Sequence, residues 1–316
     1  MAVRTQLSNT SLTSSCRNIT SPNDSNLWHG DCCKEKIQEV RWLGNFEEVP
    51  EYQRKPYIHW YYRLEAPRMR HFWRVHNELG NMWTHLFAAA VTLIRFRSWW
   101  QCEPTQDATA APSLVWTRQT YAAGVATFFF GSLITFCISV MYHWRHCGKE
   151  LEVKCWLCLD ISCCGLLLLL GFAAGVPMGF HCYPELQKGY MLQAVTVALA
   201  AVCAFAFETP ATRGRFSSPT LILGGISALW PALHWLMIST AGRQAAGGWL
   251  LVVIVCGILA TLFYTKSIPE CFAPGRFDLL CNSHQLWHVF IYGAIAAYAE
   301  ALIAVFKLTA SSSFCQ

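Results

Sequence analysis

Seven apolar runs, each close to twenty residues, leave this chain few ways to fold. They cover approximately Asn77–Arg97, Thr120–Trp144, Leu151–Val176, Tyr190–Phe207, Thr220–Ile238, Gly248–Lys266 and Ser283–Phe306. A helix rises 1.5 Å per residue, so about 20 residues cross about 30 Å of hydrocarbon. Lipid offers no partner to an unpaired backbone amide, so each run must satisfy its own hydrogen bonds as a helix. The links between runs are short and rich in Pro, Gly or charge, as membrane-helix connections are. Composition points the same way: 54% of the 316 residues are hydrophobic and 14% charged, against about 25% charged in soluble domains. The predicted fold is an all-α membrane protein, a seven-transmembrane helix bundle spanning residues 77–308, with a region 1–76 before it and a short tail 309–316.

The first 76 residues are polar. Their Ser/Thr/Asn-rich start (SNTSLTSSCRNITSPNDSN) buries too little apolar area to offset ordering entropy and is expected to be disordered. Residues 1–25 contain no apolar run of secretory-signal length. Basic residues collect on cytoplasmic links. Arg63, Arg68, Arg70, Arg74, Arg145, Lys149, Lys154, Arg213, Arg215 and Arg276 fall on the N-terminal side, against Arg95, Arg97, Arg118, Lys188, Arg243 and Lys307 opposite. The expectation is a cytoplasmic N-terminus in the plasma membrane or an endomembrane. The sequons at Asn9 and Asn18 point the other way and are outweighed by the charge bias. Many of the sixteen cysteines are small fillers of membrane runs; Cys102 and Cys182, on links placed outside, are the expected disulfide pair. The basic aromatic stretch Tyr52–Trp73 reads equally as an anchor on anionic lipid or as an ordinary positive-inside flank.

Ionisable groups in a bilayer are costly and face a cavity or a partner. With the N-terminus inside, Ser139 and His143 lie one turn apart at the inner end of the second helix. Asp160 lies about two turns into the third, and His284 and His288 occupy the first two turns of the seventh. All five share one depth. Three imidazoles are a catalytic-type Zn²⁺ ligand set, with a fourth position left for water. Asp160 would then act on that water, and Ser139 on the carboxylate or on a substrate oxygen. The alternatives are ordinary: His143 resting solvated at the interface, His284 and His288 as a chance i, i+4 pair, and Asp160 paired with an Arg. Glu78, Asn81 and His85 form a further face on the first helix, read as a polar interhelical network, with His85 as a further ligand the alternative. His234 and Glu300 lie toward the outer leaflet and are assigned to no site.

The blocks HNELGNMWTHL, SVMYH followed by LDISCCG, and PGRFDLLCNSHQLWHVF resemble the three motif blocks of the progestin and adipoQ receptor family, which includes adiponectin receptors, membrane progestin receptors and hemolysin III-like proteins. The resemblance covers roughly residues 56–308. It implies an intramembrane zinc ion on His143, His284 and His288 near the cytoplasmic face, Asp160 and Ser139 as catalytic groups, and an N-terminus inside. It also implies a zinc-dependent ceramidase-type amidohydrolase cleaving a lipid amide. Implied partners are membrane lipid and a ceramide-like or steroid ligand, with an extracellular protein hormone and self-association also compatible; no nucleic-acid partner is expected. Where adiponectin receptors read Asp-Tyr-Ser-Gly, this chain has Asp160-Ile-Ser-Cys-Cys-Gly.

Two other classes compete. A ligand-sensing receptor with a structural zinc uses the same ligand types as an enzyme and differs in whether water holds the fourth position. A G-protein-coupled or opsin-like receptor is disfavoured, because the seventh run has no mid-helix Lys and no Asn-Pro-x-x-Tyr.

Overall fold

The structure, a computed structural model, describes residues 41–102, 112–207 and 217–309. The sequons, the Ser/Thr/Asn-rich start, most of the link after the first run, Arg213, Arg215 and the tail after 309 lie outside the described residues. The described chain contains seven α-helices: α1 (Leu79–Cys102), α2 (Pro112–Arg145), α3 (Glu150–Gly179), α4 (Pro184–Ala206), α5 (Ser217–Ile238), α6 (Thr240–Lys266) and α7 (Ser283–Leu308). Five of them, α2, α3, α4, α6 and α7, are long and apolar enough to cross a membrane, and Ile222–Ile238 of α5 forms a shorter apolar helix. Most helices outrun the apolar segment that announced them; α2 and α6 each begin eight residues earlier than their runs. Hydropathy marks the apolar stretch, whereas backbone hydrogen bonding continues until a cap or a Pro stops it.

Consecutive helices pack as neighbours, and α1 returns to α7 to close the ring. Helix α7 touches α1, α2, α3 and α6, which makes it the element against which the others register. Its start is fixed by the Asn282 side chain accepting from the Gln285 amide at 3.1 Å, and by buried Glu270 accepting from the Ser283 amide at 2.7 Å. Both acceptors satisfy amides that a helix N-terminus leaves unpaired. Mid-bundle, the Tyr298 hydroxyl of α7 donates to the Gly171 carbonyl of α3 at 2.9 Å. Farther along, Arg95 of α1 forms a two-pronged ion pair with Glu300 of α7.

Residues 41–76 fold back over the bundle end where α1, α3 and α7 begin and α2 finishes, here called the near end. A two-residue antiparallel pairing, β1 (Leu43–Gly44) with β2 (Tyr62–Arg63), encloses a small core of Val49, Ile58 and Tyr62. Buried Arg63 donates to the His143 and Trp144 carbonyls at 2.7 and 2.8 Å, a cation on the unpaired carbonyls of a helix C-terminus. Asp278, in the link before α7, accepts from the amides of His59 and Trp60 at 3.2 and 2.8 Å. The basic stretch is thus partly a folded cap and not wholly a surface flank. Counting arginines could not separate Arg63, spent on helix carbonyls, from exposed Arg68 and Arg74. The expected Cys102–Cys182 disulfide is not formed. Cys102 is a free, exposed thiol, whereas Cys182 is in a disulfide; location on the same side does not fix which cysteines come within bonding reach.

Candidate metal centre

Three imidazoles meet at the near end. His143 comes from the last turn of α2, and His284 and His288 from the first two turns of α7, where the i, i+4 spacing puts both on one face. Ring centroids lie 5.1 Å apart for His143 and His284, 5.0 Å for His143 and His288, and 4.6 Å for His284 and His288. One ligand nitrogen from each lies within 4.8 Å of the others. His143 and His288 are buried.

Hydrogen bonds decide which nitrogens point inward. The Thr84 hydroxyl donates to the Asn81 carbonyl at 2.9 Å, so its oxygen is left to accept from His288 Nδ1, 3.0 Å away. His143 Nδ1 lies 2.8 Å from a Glu78 carboxylate oxygen, which can only accept. Each ring therefore carries its proton on Nδ1 and a lone pair on Nε2. Both Nε2 atoms are buried without a hydrogen-bond partner among the described residues. Leaving such an atom unpaired costs about 1–3 kcal/mol. Neutral imidazoles, Nδ1 tethered and Nε2 bare, are the donor set Zn²⁺ takes, so these residues fit that ion.

Around the trio, Ser139 is one turn before His143 on α2 and nearly fully buried, with Asp160 of α3 as its neighbour. Asp160 lies outside the close ligand-atom group. Asn81 donates to Glu78 at 2.8 Å, joining the carboxylate to α1. His85 stacks on His288 with centroids 3.7 Å apart, and neither of its ring nitrogens has a hydrogen-bond partner among the described residues; it is not part of the ligand-atom group either.

The chain belongs to the haemolysin-III related family. That family's model matches residues 73–299, and the similarity to curated relatives supports membership of the progestin and adipoQ receptors. The adiponectin receptor protein of Drosophila melanogaster is 24% identical over 276 residues, covering 82% of this chain and 59% of its own length. Progestin and adipoQ receptor-like protein 1 of Caenorhabditis elegans is 25% identical, covering 84% of this chain and 61% of its own. Progestin and adipoQ receptor family member 3 of Mus musculus is 26% identical, covering 78% and 80%. The chain therefore spans about three fifths of the first two relatives. Within this haemolysin-III related chain, the matched region encloses all three histidines, Glu78, Thr84, Ser139 and Asp160.

Two residues of the site escaped sequence reasoning. Thr84 was within reach, because it stands beside His85 in the first motif block and repeats the Glu78, Asn81 spacing of three. Lys55, whose ammonium lies 2.6 Å from Glu78 Oε1, gave no local signal, being 23 residues earlier in an irregular stretch.

Proposed function

We propose that this chain is a seven-span membrane protein, N-terminus in the cytoplasm, that hydrolyses a lipid amide of the ceramide type with a zinc ion held by His143, His284 and His288. The observation that carries this reading is the set of three convergent imidazoles, two of them, His143 and His288, tethered at Nδ1, with Asp160 and buried Ser139 nearby. When bound, zinc supplies a Lewis acid that polarises the scissile carbonyl and makes water a nucleophile near neutral pH. Asp160 takes the proton of the attacking water and returns it to the leaving amine. Ser139, neighbouring Asp160, would orient the carboxylate for both transfers by donating its hydroxyl proton to it. The disulfide at Cys182, on the link at the far end, favours that end facing an oxidising compartment.

Purified protein supplied with labelled ceramide should release fatty acid, and Asp160→Ala and His288→Ala should each reduce release by at least about 100-fold, the scale of a lost acid–base group. Release no greater than that of either variant would remove the hydrolase.

A second reading has its own support: two of the relatives are named adiponectin receptor protein and membrane progestin receptor beta. As a hormone or lipid sensor with structural zinc, the chain would keep its ligand response in Asp160→Ala, while chelation would lower its thermal stability.

A further inference from the structure

We infer that the N-terminal cap positions the metal ligand His143, acting through Lys55 and Glu78 from the side-chain direction and through Arg63 from the backbone. This rests on the zinc reading above. Glu78 stands immediately before α1 and is almost fully buried. One carboxylate oxygen receives His143 Nδ1 at 2.8 Å and the Asn81 amide at 2.8 Å; the other faces Lys55 Nζ at 2.6 Å and His146 Nδ1 at 3.6 Å. A buried carboxylate needs a compensating cation, and among the described residues only the cap supplies a fixed one here. Arg63, also from the cap, grips the carbonyl of His143 itself at 2.7 Å. Lys55 and Arg63 precede the 73–299 region that matches the family, so this chain tunes its site from a segment outside that match.

The physical consequence is specific. A carboxylate on Nδ1 fixes the ring's rotation and tautomer and raises the basicity of Nε2, and loss of such a partner typically lowers metal affinity 10–100-fold. Lys55 holds the carboxylate in the rotamer that reaches Nδ1. Removing Lys55 alone would leave a buried unpaired charge and destabilise the fold, which would confuse the result. Removing the pair together takes away the charge and its counter-ion at once.

The experiment measures zinc content of the purified full chain, zinc affinity by chelator competition, the Co²⁺ ligand-field spectrum and thermal stability, for wild type, Lys55→Arg, Lys55→Met, Glu78→Gln and Lys55→Met/Glu78→Gln. Expected are near wild-type affinity in Lys55→Arg and affinity about 10–100-fold weaker in Glu78→Gln. The double variant should regain thermal stability over Lys55→Met while keeping the weak affinity and an altered cobalt spectrum. If the double variant regains affinity along with stability, or if Glu78→Gln binds zinc as tightly as wild type, the pair is structural and the inference is overturned while the zinc reading stands. A wild type that takes up neither zinc nor cobalt overturns both.

Discussion

His76 shows how far burial sets the cap's dependence on pH. Its Nε2 donates to the His71 carbonyl at 2.8 Å, and its Nδ1 accepts the Glu78 amide at 3.1 Å, an arrangement open only to the neutral ring. Burial first, and the Arg63 charge next, push its pKa down to about 3; Glu78 opposes them. The unfolded ring titrates near 6.5, so its contribution is complete above that pH and drains away as pH falls toward 3. Between about pH 7.5 and about pH 5 the loss is on the order of 2 kcal/mol. Thermal unfolding of the detergent-solubilised chain should show it, with a shallower pH slope in His76→Gln. Equal slopes would mean that the ring is not buried neutral. At the metal centre, Thr84→Val keeps the volume and removes the oxygen that receives His288 Nδ1. Zinc affinity should fall by about tenfold or more with little change in the fold; unchanged chelator competition would dismiss the tether. The i, i+4 histidines were legible because helical spacing is local. The bonds that choose their tautomers were not, since Glu78 and His143 are 65 residues apart and Thr84 and His288 are 204 apart.

Helix placement was largely legible, because hydropathy at a fixed rise per residue needs no tertiary knowledge. What hydropathy could not state is how closely helices approach. At Gly80 on α1 an added Cβ would meet the Gln285 amide group of α7 at 2.3–2.8 Å. That amide cannot swing away freely, because it donates to the Leu279 carbonyl and accepts from the Cys281 amide, both at 2.8 Å. At Gly175 on α3 the Cβ would meet the Tyr298 hydroxyl of α7 at 2.3 Å. Small residues let membrane helices pack closely. Gly80→Ala and Gly175→Ala should therefore each destabilise by about 1–3 kcal/mol through overpacking. Gly80→Ala should also weaken metal binding, because it presses on the turn that presents His284 and His288; Gly175→Ala, mid-bundle, should not. The Arg95–Glu300 pair ties the same two helices toward the far end. A double-mutant cycle with Arg95→Met and Glu300→Gln should return a coupling of about 0.5–3 kcal/mol, and a coupling of zero would make the pair incidental. These contacts also explain why α1, the least apolar run, is not among the five helices apolar enough to span by composition. Its polar side chains Asn81, His85 and Arg95 face protein partners, and a hydropathy average charges them as if they faced lipid.

At the scale of the whole molecule, orientation decides which compartment the histidine cluster serves. The charge census behind the inside N-terminus included Arg63 and Arg95, and the fold withdraws both: Arg63 is buried on α2 carbonyls, and Arg95 is paired within the bundle. One comes off each side, so the bias survives. The disulfide at Cys182 is independent of charge, and it lies at the end opposite the cluster. Two free thiols provide the test, since Cys102 ends α1 at the far end and Cys281 sits in the link before α7 at the near end, both exposed. In intact cells with the chain at the surface, a membrane-impermeant maleimide should label Cys102 and spare Cys281, read by peptide mapping, with the Cys102 signal lost in Cys102→Ser. Cys281 should become reactive only after permeabilisation. For chains held in internal membranes, sealed microsomes give the inverse pattern for the same topology, because their outer face is cytoplasmic. Labelling of Cys281 in intact cells would invert the bundle. It would put the cap, Lys55 and the three histidines on the outer side, where a lipid amide would have to reach them from the opposite leaflet.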